Sequence, residues 1–211
     1  MKNTILLLTA VFPVLFYATS SAQSGKEIKI GSQVWAAENL DVVRFSNGDP
    51  IPQAKTPEEW EQAGKNRQPA WCTYNNKLDY RIRYNKIYNA YAVADKRGLC
   101  PTGWHVPSDA EWTALVQQLD GEQSAARKLK TTGGWHNDGN GTNSTDFSAL
   151  PGGGRNGAGG FYGMGMFGYW WTSTPFNKDL TWIRYLFHEE EKVFRNFSDN
   201  NFGHSVRCVR D

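Results

Sequence analysis

The sequence predicts an α+β fold, a mostly antiparallel sheet with a few short helices and a long glycine-rich loop region. Three observations carry this expectation. The late segments "YWWTST", "TWIRYLF", "KVFRNF" and "SVRCVR" alternate or run apolar, as strands of an antiparallel sheet do. Helix-start signals are present, but the apolar-periodic runs they introduce are short. Between Gly133 and Gly168 the glycines crowd until neither a helical nor a strand period survives.

The chain opens with Lys2, the apolar stretch "ILLLTAVFPVLFYA" and the small residues Ser20, Ser21 and Ala22, which read as a secretory signal peptide over residues 1–22. The apolar run is short for a bilayer and Pro13 interrupts it, so no membrane span is expected. Cleavage after Ala22 leaves no cysteine at the new N-terminus to carry a lipid. The expectation is an exported protein, periplasmic, at the cell surface or extracellular, and not a lipoprotein. Loss of Lys2 lowers the formal net charge of +2 by one, a balance that asks for no nucleic acid and no anionic membrane as partner. The remaining residues suit one domain with a sizeable core. Its nine Trp, nine Tyr and eleven Phe against three Met point to an aromatic interior.

From residue 26 the elements are read in order. "EIKI" and "QVW" flank Gly31 and Ser32, a tight hairpin. "TPEEWEQAG" places Thr56 as N-cap, Pro57 in the first turn, Glu59 as capping-box acid and Gly64 as the stop of a short peripheral helix. "NKIYNAYAVADKRG" offers Ile87, Tyr88, Tyr91 and Val93 for a second helix. In "GWHVPSDAEW", Pro107 biases Val106 to extended geometry, so "WHV" reads as a strand. Ser108 and Glu111 then form a second capping box, and Trp112, Leu115, Val116 and Leu119 make the apolar stripe of the principal helix. Trp112 is expected in the core, and "EQSAARKLK" adds another short helix.

Only Cys72, Cys100 and Cys208 are present, without the paired CxxC spacing of a structural zinc site. The preferred disulfide is Cys100 with Cys208, because "SVRCVRD" is a terminal strand that needs tying to the body; closing a loop of about 100 residues stabilises by up to about 4 kcal/mol. Cys72 is then a free, buried hydrophobe. His105, His136, His188 and His204 form no HxxxH or HExxH pair and read as local hydrogen-bonding residues. No GxSxG is present, and the glycines of "PGGGRNGAGG" precede no helix that could hold a phosphate.

The long loop carries the candidate chemistry, since a loop of this length in a compact domain is usually functional. Asn137, Asp138, Asn140, Asn143 and Asp146 concentrate oxygen ligands suited to calcium, although their spacing is not that of an EF-hand and a hydrogen-bonded turn cluster is the preferred account of them. Trp135, His136, Asn137, Asp138, Arg155, Asn156 and Tyr162 outline a candidate ligand surface, supported by Trp170 and Trp171 from the following strand. Tyr169, Trp170 and Trp171 are consecutive, so a strand cannot point all three to one side. Aromatic faces stack well on sugar rings.

In order along the chain, "IGSQVWAAENL", "WCTYNN", "YNAYAV", "CPTGWHVPSDAEW", "FSALPGG", "WWTST" and "HSVRCVRD" resemble the Fibrobacter succinogenes major paralogous domain, a family of exported bacterial domains. The resemblance covers residues 26–211. It implies a C-type-lectin-like fold in the version of the formylglycine-generating enzyme group, with "VPSDAEW" as strand-to-helix entry and the last strand returning beside the first. Enzymes of that group use a close cysteine pair on copper or an added iron site, and this chain has neither pattern. No catalytic residue and no cofactor is therefore expected, with calcium the exception to test. The leading expectation is an exported binding module for glycan or a cell-surface protein. The alternatives are an exported enzyme acting on polysaccharide through two of Asp138, Asp146 and Glu189, and a structural component of the cell envelope. The oligomeric state is left open.

Overall fold

A computed structural model describes residues 26–211; the expected signal peptide, residues 1–22, lies outside the described residues. The first hairpin forms as its sequence dictates. Strands β1 (Glu27–Ile30) and β2 (Gln33–Ala36) pair antiparallel with Ile28 opposite Trp35. Gly31 has φ +61° at the first turn position, where a type II′ turn requires a residue free of Cβ strain.

Helix α1 (Pro57–Lys65) carries the complete Thr56–Glu59 capping box. It runs one residue past Gly64, whose missing side chain instead lets the helix lie against Asn201, 2.8 Å from where a Cβ would be. The helix is anchored and not peripheral, because Trp60 is 1% exposed and donates from Nε1 to the Asn201 carbonyl at 2.9 Å. Next come β3 (Trp71–Cys72), a 3-10 turn and α2 (Leu78–Tyr84), a helix for which the sequence offers no side-chain N-cap. The helix expected around Ile87 and Tyr88 is corrected. Those residues form β4 (Ile87–Asn89) against β3, and only α3 (Ala90–Val93) is helical. Burying Ile87 and Tyr88 in a paired strand outweighs their helical spacing, and Asn89 starts the helix by accepting from Ala92 N at 3.0 Å.

Strand β5 (Trp104–His105) leads into α4 (Asp109–Gln117), where both bonds of the Ser108–Glu111 capping box are present and Trp112 is buried. A short α5 (Ala125–Leu129) follows. The expected loop from 133 to 168 is only partly loop, because it contains β6 (Gly152–Arg155) and β7 (Phe161–Met164). Glycine is required there by close backbone approach. A Cβ on Gly153, which has φ +64°, would sit 2.3 Å from the Tyr162 carbonyl oxygen.

The remaining strands are β8 (Phe167–Pro175), β9 (Leu180–Phe187), β10 (Val193–Asp199), β11 (Gly203–His204) and β12 (Val209–Arg210). "SVRCVR" is thus strand only at its end, with Ser205 bridging to Trp170. Two sheets result. The smaller has the order β1-β2-β12-β5, so the last strand returns beside β2 of the first hairpin. The larger runs β10-β9-β8-β6-β11-β4-β3, with β7 paired to β6 and one parallel contact between β6 and β8.

The larger sheet is buried on both faces along β8. Trp170 joins a core with Trp35, Trp112, Phe147 and Leu186, whereas Trp171 joins another with Leu40, Tyr88, Ile183 and Val206. A third cluster gathers Trp60, Cys72 and Ile87. Cys100 and Cys208 form a disulfide with Cα atoms 6.1 Å apart, and Cys72 is free and buried. No helix among the described residues is long and apolar enough to cross a membrane.

Candidate functional site

Strand alternation builds an aromatic surface. In β8, Phe167 and Tyr169 share a face with Trp171; in β9, Tyr185 and Phe187 share one with Ile183. Trp171 and Ile183 are buried, and the outer residues of the same face are only half-buried. Register aligns them laterally, with Phe167 opposite Phe187, Tyr169 opposite Tyr185, and Phe194 of β10 opposite Tyr185. A continuous band of five rings follows. Phe187 and Phe167 stack at 4.7 Å, Phe167 and Tyr169 at 5.5 Å, and Tyr185 and Phe194 at 4.6 Å, with a tilted Tyr169–Tyr185 contact of 5.6 Å between them.

Tyr162 extends the band from β7, its ring 5.6 Å from Tyr169. It lies flat on β6 because residue 154 is glycine, where a Cβ would be 2.8 Å from the tyrosine hydroxyl. The hydroxyls of Tyr162, Tyr169 and Tyr185 make no hydrogen bond within the described residues. Burial raises the pKa of all three, and Tyr185 raises that of Tyr169 further. They remain protonated donors at any physiological pH. His204, below Tyr169 and Trp171, is held neutral by complete burial, its pKa pulled down to about 3. Such a surface presents a row of ring edges, the inner faces being stacked on one another, together with hydroxyl groups that no described residue engages, a combination that suits a ligand with both apolar and hydroxylated faces.

The residues expected to form the ligand surface separate into two sets. Trp135, Arg155, Trp170 and Trp171 are buried, which corrects their placement on that surface. Trp135 donates from Nε1 to Thr131 Oγ1 and the Ala149 carbonyl, both at 3.2 Å. Trp170 and Trp171 donate to Asn39 Oδ1 and to the Tyr88 carbonyl. Arg155 reaches the carbonyls of Ala54, Thr56 and Gly159 between the rings of Trp60 and Phe161. It is a strut for the entry to α1. His136, Asn137 and Asp138 form an exposed 3-10 turn. His136 lies 6.2 Å from His188, which in turn packs on Phe187 at 4.5 Å, so this turn borders the band. Asn156 spends its Oδ1 on Ala158 N and Gly160 N. Tyr162 alone of the expected set belongs to the band.

The loop oxygens offered for calcium are largely engaged by protein donors. Asn140 Oδ1 accepts from Trp135 N, Asn143 Oδ1 from Ser148 N, and the Asp146 carboxylate pairs with Lys26 at 2.8 Å. Among the described residues no group of three or more His, Cys, Asp or Glu is placed to hold a metal ion. Asp138, Asp146 and Glu189, the acids considered for glycoside hydrolysis, are all exposed. The better-buried acid is Asp109, which accepts from Arg184 at 2.7 Å and Arg195 at 3.0 Å and clamps the start of α4 to β9 and β10. Strand residues Tyr185, Phe187 and Phe194 escape a sequence reading because their neighbours are fixed by register. The period-two spacing of Phe167 with Tyr169 and of Tyr185 with Phe187 was the available signal.

The fold defines a small α+β domain with a half-buried aromatic row on one face of its larger sheet. It belongs to the family of the Fibrobacter succinogenes major domain, whose model matches residues 28–210. Neither the curated proteins nor the solved structures gave a match.

Proposed function

We propose that this chain is an exported, non-catalytic binding domain that recognises glycan through the aromatic band of β8, β9 and β10. The single observation that carries the reading is the half-buried five-ring band from Phe187 to Phe194, which with Tyr162 carries three tyrosine hydroxyls that bond to none of the described residues. Stacked rings give a rigid apolar surface at little cost in side-chain entropy, and the hydroxyls supply direction. Export is supported by the charged, apolar and small-residue order of residues 1–22 and by the cysteine pairing. We further place the fold with the C-type-lectin-like domains. The strand-to-helix entry at Ser108 and the return of β12 beside the first hairpin support that assignment.

The test is a glycan-array screen of the purified protein, with and without calcium, followed by Tyr185→Ala and Phe194→Ala. Selective retention that falls at least about tenfold in either variant is the expected result. Retention by neither glycans nor isolated envelope polysaccharide, or retention unchanged by both substitutions, overturns the reading.

A further inference from the structure

A concavity lies away from the aromatic band and shares no residue with it. It is a groove of about 250 Å³ between the end of α2 and the chain near residue 148, with Arg207 and Asn39 at its base. Arg207 is 1% exposed, yet its guanidinium meets only uncharged acceptors: Asn39 Oδ1 from Nε at 3.2 Å and from Nη2 at 2.9 Å, and the Ala36 and Phe147 carbonyls from Nη1 at 3.0 and 2.5 Å. These are four bonds for five N–H groups. Among the described residues no carboxylate lies within ion-pair distance of it.

A buried cation without a counter-ion is costly, and its field is weakly screened wherever the low-dielectric surroundings open to a cavity. Burial brings the Arg207 pKa down to about 9, so the group is still charged at neutral pH. Arg83, exposed on the wall, also makes no ion pair among the described residues. The lining also holds Asn85, two residues beyond Arg83, and Ser148, with φ +64° and +55°, left-handed conformations that non-glycine residues adopt at an energetic cost. Both are pinned by the protein: Asn85 Nδ2 donates to the Asn39 carbonyl at 2.6 Å, and Ser148 N donates to Asn143 Oδ1 at 2.7 Å. The rim acid Asp146 is already neutralised by Lys26. Glu38, the remaining acid of the lining, acts on Arg207 through space, raising its pKa against the effect of burial, and competes with a bound anion.

We infer that this groove binds a carboxylate-bearing sugar of about one ring, with the carboxylate directed to Arg83 and Arg207. Two guanidinium groups supply the charge, Asn85 supplies its amide oxygen to the sugar hydroxyls, Ser148 Oγ is taken up by Asn143 Nδ2 and the Asp146 carbonyl, and Tyr84 and Leu150 supply the apolar wall. The site is independent of the aromatic band and stands whether or not that band binds glycan.

The experiment is calorimetric titration of the purified protein with sodium galacturonate and, in parallel, with neutral galactose. Galacturonate is expected to bind at least about tenfold more tightly, with affinity falling as salt rises. Arg83→Gln should weaken it about tenfold and Glu38→Gln should strengthen it a few-fold, opposite signs that a purely structural role for either exposed side chain does not produce. Tyr185→Ala should leave it unchanged. Equal binding of the two sugars, no binding of galacturonate, or indifference to Arg83→Gln overturns the inference. Loss of binding in Tyr185→Ala with Arg83→Gln unaffected moves the ligand to the aromatic band, ending this proposal and leaving the glycan reading intact.

Discussion

Trp170 and Trp171 are neighbours in sequence but anchor opposite cores. The first donates its indole N–H to Asn39 Oδ1 at 2.8 Å and the second to the Tyr88 carbonyl at 2.8 Å. One peptide unit of β8 thus fixes both layers of the domain. Asn39 links this point to the chain's last segment, since its Oδ1 also accepts from Arg207.

Asn39→Leu should therefore be strongly destabilising for its size. It removes an acceptor shared by a buried indole and a buried guanidinium, and both are left short of a partner. A loss of about 2–4 kcal/mol is expected in urea unfolding at neutral pH. A loss below about 1 kcal/mol would show that water or a shifted carbonyl replaces the amide.

His105 makes stability pH-dependent in a defined direction. Its ring joins Asp211 at 2.6 Å and Glu111 at 2.8 Å. Burial on its own lowers the imidazole pKa, but the two carboxylates outweigh it and the net shift is upward. A raised folded-state pKa contributes stability that is complete below the unfolded value, about 6.5, and fades as pH rises through the folded value. The stability gap between the native chain and His105→Ala should accordingly be larger at about pH 5.5 than at about pH 8.5. Denaturant midpoints of both proteins at the two pH values measure it, and a gap that widens with pH contradicts the assignment.

Gly153→Ala tests whether the glycine run is a strand requirement. The new Cβ meets the Tyr162 carbonyl, and φ +64° strains any L residue. The two nearest atoms are backbone of the paired strand β7, which cannot swing aside as a side chain could, so the cost should exceed about 2 kcal/mol and lower the melting temperature. Gly121, with φ +87° but open space around it, is the control, where alanine should cost less.

Metal removal should leave the fold intact. Asn140, Asn143 and Asp146 already serve Trp135, Ser148 and Lys26. The melting temperature in excess chelator and in millimolar calcium is expected to be the same. A calcium-dependent rise would show linkage to a bound ion and return these oxygens to a ligand set.

The parts of the fold written locally are legible in the sequence. Thr56 with Glu59 and Ser108 with Glu111 each close their capping boxes within four residues, and Gly31 sets the hairpin turn it occupies. Strands β6 and β4 were misread for opposite reasons. Gly152 to Gly154 carry no side chains from which a period can be read, and Ile87 with Tyr88 fit a helical stripe until a partner strand at Trp71 competes for them. Of the candidate surface, Tyr162 was accessible to sequence reasoning because it follows the glycines. Arg155, polar and embedded in that same run, looked like a binding residue but spends its donors on three carbonyls. The aromatic band needed Tyr169, Tyr185 and Phe194 to be brought level across three strands, which is tertiary information.

The order β1-β2-β12-β5 has a consequence for how the chain is made. Strand β12 inserts between β2 and β5, so the small sheet stays split until residues 209–210 have emerged, and Cys208 cannot meet Cys100 before then. The first hairpin lacks its β12 neighbour while synthesis continues, so the small sheet and the Cys100–Cys208 bond are completed together, by the segment that emerges after every other strand described.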